Sequence, residues 1–266
     1  MSTELAHEAW ARIANGPAAE GVTFPALPKI LGSSVKIEKG SKKGILTAVA
    51  YLSPATEAGH RINMCPWATK ECAAVCLGHS SGRLRMSTSK NARIWKTLLW
   101  KYERETFDLL LNREIESHRK KAEKKGLIAA IRLNGSTDVL QAKDYAMTHP
   151  EVQFYDYTKS FTRVVDNING PKNVHLTFSY SGHNLPECLT VLKHGGNVAT
   201  VFQELPETWH GYTVIDGDET DARFTDPAGT VCGLSYKGNV DTDEAGAFLV
   251  RLETAPEALQ EKKNEA

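Results

Sequence analysis

Three of the five cysteines of this chain, Cys65, Cys72 and Cys76, lie within twelve residues of one another. Thiolates are the usual ligands of iron–sulfur clusters, and three of them would hold a cubane [4Fe–4S] cluster with one iron left without a protein ligand. That iron would be the place where chemistry occurs. The spacing therefore predicts a metal site in residues 65–76, called the cysteine loop below, and an iron–sulfur cluster is one of its two possible occupants.

Two other interpretations of the cysteine loop remain open. With His79 as a fourth ligand, three thiolates and an imidazole would form a closed tetrahedral zinc site with no position for a substrate. Alternatively, the three residues are ordinary buried thiols. The loop contains Pro66 and is followed by Gly78 in a polar, turn-rich segment. This setting favours metal binding over buried thiols.

Length and composition restrict the class of protein. The 266 residues suffice for one large α/β domain, and the 32 basic side chains equal the 32 acidic ones, so no global positive field attracts nucleic acid. The sequence indicates neither a signal peptide nor a membrane span. We therefore expect a cytoplasmic protein, in the host cytoplasm if phage-encoded, with no membrane partner. An odd cysteine count in such a protein argues against a disulfide framework.

The elements that must position the cysteine loop alternate between two patterns. Strand patterns cover 44–52, 127–133, 152–157, 174–178 and 197–202, with shorter ones at 212–215 and 231–235. Helical patterns cover 4–14, 91–125, 139–148 and 186–194. This alternation predicts a mostly parallel sheet with crossover helices. Residues 1–43 are predicted to form a helix and an extended covering segment, 44–252 the main domain, and 253–266 a charged flexible tail.

Polar segments follow the predicted strands one after another. They are the cysteine loop, Asn134–Asp138, Thr158–Lys159, Ser179–His183 and Gln203–Glu204. Ligands of parallel α/β sheets and barrels bind beyond the carboxyl ends of the strands. We therefore expect these segments to meet at one mouth, where Lys159 could bind a carboxylate or phosphate.

A strand, a three-cysteine loop and repeated strand–helix units resemble the partial (β/α)6 TIM-like barrel of radical S-adenosylmethionine enzymes. The spacing Cys-x6-Cys-x3-Cys departs from the usual CxxxCxxC of that superfamily. Three further segments are similar to motifs of uncharacterised phage and plasmid gene products. They are Asn-Gly-Ser-Thr-Asp-Val at 134–139, Phe-Tyr-Asp-Tyr-Thr-Lys-Ser at 154–160 and Leu-Thr-Phe-Ser at 176–179. Those families pair a cysteine loop with SGD or SD and TKS or TKR motifs. The resemblance covers about residues 44–238.

The resemblance implies a [4Fe–4S] cluster and S-adenosylmethionine as cofactors. Cys65, Cys72 and Cys76 would be the iron ligands, and reduction would generate a 5′-deoxyadenosyl radical for hydrogen abstraction. The other site residues that it implies are Lys159 and Asp138 as catalytic groups and Asn134, Ser136, Asp138, Ser179 and His183 as cofactor-binding groups. Helix capping is the alternative role of Asp138. An electron donor of flavodoxin or ferredoxin type would be a partner.

The function predicted from this resemblance is an isomerase-type rearrangement of a small molecule or of a modified nucleotide or DNA. Its association with phage genes points to hypermodification of a thymine base. One alternative is a zinc-stabilised barrel that acts on nucleic-acid bases, like the tRNA-guanine transglycosylases, with Asp138 or Asp156 as nucleophile. The other is a non-catalytic binding protein whose metal only braces a loop.

Overall fold

The computed structural model describes residues 3–17, 20, 29–33, 43–59, 61–76, 78, 84, 86–237 and 243–251. The helices in these ranges are α1 (Thr3–Ala14), α2 (Lys70–Ala74), α3 (Ser87–Tyr102), α4 (Arg104–Lys124), α5 (Ala142–Ala146), α6 (Phe161–Asn167) and α7 (Leu185–Lys193). The strands are β1 (Leu31–Gly32), β2 (Ile45–Ala50), β3 (Ile128–Arg132), β4 (Gln153–Thr158), β5 (Val174–Ser179), β6 (Asn197–Phe202), β7 (Thr208–Trp209), β8 (Tyr212–Asp216), β9 (Val231–Ser235) and β10 (Leu249–Val250). The predicted tail and most of the extended covering segment lie outside the described residues.

The ten strands form an open, mostly parallel sheet in the order β1-β2-β3-β4-β5-β6-β9-β8-β7, and β10 pairs with the last residues of β6. Strands β2 to β6 are parallel neighbours in chain order, and β9 and β8 continue the parallel arrangement. Among the strands of the described ranges, only β1 and β7 pair antiparallel, one at each edge. The predicted α/β class with mostly parallel strands is therefore confirmed.

Helices α3 and α4 cover β2 and β3 because apolar side chains recur along both helices at intervals of mostly three or four residues. The fully buried members of this stripe are Trp95, Leu98, Leu99, Phe107, Leu111 and Ile115. They share one core with Ala48 of β2 and Ile131 of β3. Helix α1 joins the same core through Trp10, whose ring meets Trp95 edge to face at a centroid distance of 4.9 Å. The amino-terminal helix is thus packed into the main core.

Alternate side chains of the central strands carry polar groups on the other face of the sheet. The Tyr155 hydroxyl donates to Asp221 Oδ2 at 2.8 Å, and the Arg132 guanidinium donates to Asp221 Oδ1 at 3.2 Å. Arg132 also stacks over the Tyr157 ring, 4.6 Å from its centroid. The segment after β8 therefore packs against this face through an ionic and aromatic cluster.

The helical pattern over 91–125 predicts one long helix, but the structure divides it into α3 and α4. The backbone of Glu103 has φ −131° and ψ 54°, which is outside the helical region. The Glu103 carboxylate accepts two hydrogen bonds from Arg12 of α1, at 2.7 and 2.9 Å. The break is therefore accompanied by a tertiary contact that no local pattern indicates.

Candidate functional site

Polar segments from neighbouring strands meet at the carboxyl edge of the sheet, because β2 to β5 are parallel and adjacent. The cysteine loop follows β2 and contacts two of these segments. The Cys65 thiol donates to the carbonyl of Ser136 after β3, at 3.7 Å, and Thr69 Oγ1 donates to the carbonyl of Ser181 after β5, at 3.2 Å. A further bond of 2.8 Å joins the segments after β3 and β4. Four predicted segments are therefore linked around one mouth.

The cysteine loop is held in place by a short helix and a small apolar cluster. Thr69 Oγ1 accepts a hydrogen bond from the Cys72 N–H at 3.2 Å and so caps the start of α2. Val75 is buried against Leu249 of β10. The carbonyl of the fully buried Met64 accepts a hydrogen bond of 2.9 Å from the segment after β3. These contacts fix the cysteines relative to the strand ends.

The three thiols of the loop are partly exposed and form no disulfide bond. Burial raises the pKa of Cys65 to about 11, and the nearby thiols of Cys76 and Cys72 raise it as well, whereas the Lys159 ammonium lowers it. Burial also raises the pKa of Cys76, while Lys159 again lowers it. Cys65 and Cys76 therefore lie within range of the charges of Cys72 and Lys159.

Three thiols in one loop are the donor type that both zinc and iron–sulfur clusters take. Among the residues that the structure describes, no three His, Cys, Asp or Glu side chains are arranged to hold one metal ion. Zinc needs its thiolates about 2.3 Å from one point, whereas a cubane binds each thiolate on a different iron and so separates the sulfurs. His79, the fourth ligand in the zinc interpretation, lies outside the described residues.

Lys159 extends from the end of β4 towards the cysteine loop. Its Nζ lies 5.5 Å from the centroid of the Phe248 ring, and its charge acts on the thiols of Cys65 and Cys76. Its backbone N–H donates to Asp138 Oδ2 at 2.8 Å. A lysine in this position can bind the carboxylate or phosphate of a ligand beside the thiols.

Asp138 is engaged by protein groups. Its carboxylate forms an ion pair with the Arg163 guanidinium, and the two side chains are only 12% and 10% exposed. Burial raises the pKa of Asp138, while the charge of Arg163 lowers it. The helix-capping interpretation is wrong, because α5 starts only at Ala142 and its N-cap residue is Gln141. The contacts of Asp138 instead indicate that it positions the chain at the end of β4.

The Asn134 side chain is hydrogen-bonded to other groups of the protein. Its Nδ2 donates to Asp156 Oδ2 at 3.0 Å and to the Leu140 carbonyl at 2.9 Å. Its Oδ1 accepts from Thr137 Oγ1, Val139 N–H and Leu140 N–H at 3.1, 3.1 and 2.9 Å. Burial raises the pKa of Asp156 to about 6, although the Asn134 N–H lowers it. Asn134 therefore shapes the loop after β3, and the fully buried Asp156 is inaccessible as a nucleophile.

Replacement of Asn134 with alanine is expected to lower the free energy of unfolding by about 3 kcal/mol, because buried N–H groups and the Asp156 carboxylate lose partners. Urea denaturation monitored by circular dichroism measures this change. Asn169→Ala is the matched control, since Asn169 is exposed in the turn that follows α6. A loss equal to that of the control would contradict the assigned role of Asn134.

The remaining predicted cofactor-binding residues differ in their exposure to solvent. Ser136 Oγ donates to the Leu52 carbonyl at 2.5 Å, and Ser179 is buried at the end of β5. The His183 side chain is 60% exposed and its Nε2 lies 3.5 Å from Glu71 Oε1 on α2. His183 is thus the most accessible of the three. The predicted segment Gln203–Glu204 lies beside β10 and is exposed.

Three residues that support the site are not among those predicted from the sequence. Arg163 lies in the first turn of α6 after the Thr-Lys-Ser segment, so its position in the motif could have indicated it. The buried pair of Arg93 and Glu57 fixes the chain just after the cysteine loop, since Arg93 also donates to the Gly78 carbonyl at 3.2 Å. The two residues of this pair are 36 positions apart in the sequence, so no local sequence pattern predicts their contact.

The fold and the site together define an α/β protein with a cysteine loop over the carboxyl ends of a mostly parallel sheet. The chain belongs to the gene product 88 family, which it matches over residues 30–251. No curated protein and no solved structure matches the chain. In the described ranges, no helix is both long and apolar enough to cross a membrane.

Proposed function

We propose that the chain is a radical S-adenosylmethionine enzyme with Cys65, Cys72 and Cys76 as the protein ligands of a [4Fe–4S] cluster. One observation carries the proposal: a loop with three thiols lies beyond the carboxyl ends of parallel strands, where the charge of the Lys159 ammonium acts on two of these thiols. A site with three thiolates leaves one iron available to a second cofactor. The match to the gene product 88 family covers the whole cysteine loop but adds no chemistry of its own.

The barrel geometry forms part of this proposal. The parallel order of β2 to β6 supports it, because a partial (β/α)6 barrel places consecutive strands side by side with helices on the outer face. The polar groups of the other face would then be directed inwards. The cysteine loop would cover the mouth of this barrel.

The chain's own residues would bind and shield the ligands. The bound cluster would supply an electron to S-adenosylmethionine for hydrogen abstraction from the substrate. Lys159 would bind a carboxylate or phosphate, held in place by the bond from its backbone to Asp138 and by the Asp138–Arg163 pair. The loop, tied to the segments after β3 and β5, would limit the access of water to the reacting groups.

The reaction class that we propose is an isomerase-type rearrangement, with a modified nucleotide or a thymine base in DNA as the substrate. His183, exposed beside α2, would contact the cofactor or the substrate. A flavodoxin or ferredoxin would supply the electron. The resemblance to phage and plasmid gene products supports this choice of substrate.

Anaerobic purification followed by reconstitution with iron and sulfide tests the proposal. We expect about four irons per chain and a reduced-state electron paramagnetic resonance spectrum that changes when S-adenosylmethionine is added. The spectral change is expected because the second cofactor would bind at the iron without a protein ligand. One zinc per chain with no response to S-adenosylmethionine would contradict the proposal and favour the zinc-stabilised alternatives.

A further inference from the structure

A groove of about 850 Å³ runs between α4 and the edge of the sheet formed by β1 and β2. Its floor includes the first four residues of β2, 45–48. The cysteine loop follows the other end of the same strand. The groove is therefore a separate site from the thiols.

One wall of the groove carries a row of hydrogen-bond donors along α4. Arg113, Ser117, Lys121 and Lys125 line the groove and follow one another at intervals of four residues. Such spacing places side chains on one face of a helix. Twelve residues of helix extend about 18 Å. Lys29, from the chain before β1, adds a further cation to the lining.

The positive charge of this groove is not neutralised by the described residues. Arg113, Lys121, Lys125 and Lys29 are exposed, and none of the four forms an ion pair with a described carboxylate. The carboxylate in the lining, Glu114, accepts hydrogen bonds from two backbone N–H groups at 3.0 and 2.8 Å. The groove lining therefore contains four cationic side chains and one carboxylate, and that carboxylate is already hydrogen-bonded to the backbone.

Other basic residues of the same helix behave differently. Arg119 pairs with Glu116 at 2.9 Å and Lys120 with Glu116 at 3.5 Å, outside the groove. Favourable interaction with the helix dipole would explain Lys121 and Lys125, which lie near the carboxyl end of α4. It explains neither Arg113 in the middle of the helix nor Lys29, so a ligand accounts better for the whole row.

We propose that this groove binds the sugar–phosphate backbone of a nucleic-acid strand. A compact anion needs donors that converge on one point, whereas a row of donors matches a linear polyanion. Consecutive donors of the row are about 6 Å apart along the helix, so an extended single strand can place its phosphates beside them one after another. The groove gives a locally basic surface to a chain with no net charge. The assignment does not depend on which cofactor the cysteines hold.

Fluorescence anisotropy of a labelled single-stranded oligodeoxynucleotide with the full chain tests the assignment. We expect the logarithm of the binding constant to fall with the logarithm of salt concentration with a slope of about −3, since four cations would each contribute about 0.7. The triple variant R113Q/K121Q/K125Q should bind at least about 10-fold more weakly at low salt, with a slope near −1. If the triple variant does not fold, K121Q alone should reduce the slope by about 0.7.

The matched control is R119Q/K120Q/K124Q, which removes the same charge from the same helix outside the groove lining. It should change the affinity by less than about 2-fold. Equal losses in the two triple variants would overturn the assignment, and so would the absence of binding by the unaltered chain. Displacement of the oligonucleotide by inorganic pyrophosphate at an equal concentration of phosphate groups would also overturn it, because the site would then be one for small anions.

Discussion

Under the proposed cluster assignment, the Cys72→Ala variant is expected to bind little iron on anaerobic reconstitution, fewer than one iron per chain instead of about four, and to lack the visible absorption of a cluster. Cys72 lies on α2 and is one of the three thiols of the cysteine loop. Alanine is the best helix former, so the loop should keep its structure. Two remaining thiolates leave two cluster irons without protein ligands, which makes the cluster too labile to persist.

Cys188→Ala is the control for this experiment. Cys188 is fully buried on α7, where its thiol contacts Asn184 Oδ1 at 3.8 Å. Its replacement leaves a small cavity that costs about 1 kcal/mol, and the iron content should stay at that of the unaltered chain. If Cys72→Ala kept as much iron as Cys188→Ala, the ligand assignment would fail.

The Arg93→Met variant is expected to lose about 3–5 kcal/mol of unfolding free energy. The Arg93 and Glu57 side chains are 2% and 3% exposed and pair at 2.9 Å. Arg93 also donates to the Leu84 and Gly78 carbonyls at 2.6 and 3.2 Å. The substitution removes the positive charge that Arg93 places beside the buried Glu57 carboxylate and the donor that it offers to two carbonyls, so the chain after the cysteine loop should loosen. Urea denaturation measures the loss.

A surface pair of the same geometry provides the comparison. Arg12 makes two hydrogen bonds to Glu103, as Arg93 does to Glu57, but the Arg12 side chain is 58% exposed. Solvent screens such a pair, so Arg12→Met should barely move the denaturation midpoint. The double variant Glu57→Gln/Arg93→Met should regain part of the stability lost in Arg93→Met, since the negative charge buried beside position 93 is gone. Equal midpoints for Arg12→Met and Arg93→Met would contradict the role given to the buried pair.

Local patterns in the sequence determined the class of fold and most of its elements. The predicted strands 197–202 and 231–235 coincide with β6 and β9, and the predicted strands over 127–133 and 152–157 lie within one residue of β3 and β4 at each end. These predictions succeed because apolar periodicity and turn residues act over a few neighbouring positions. The cysteine loop could be predicted for the same reason, since its three thiols are close to one another in the sequence.

Only the tertiary structure decided which groups meet. The insertion of β9 between β6 and β8, the break at Glu103 and the antiparallel edges depend on contacts between distant segments. The site depends on such contacts too, since Asn134 and Asp156 are 22 residues apart. Sequence reasoning assigned Asn134 to a ligand, whereas the fold uses all of its amide bonds internally. A buried polar group without a hydrogen-bond partner costs free energy, so it bonds to whichever group the packing brings near it. Local sequence patterns do not show which distant residue that partner is.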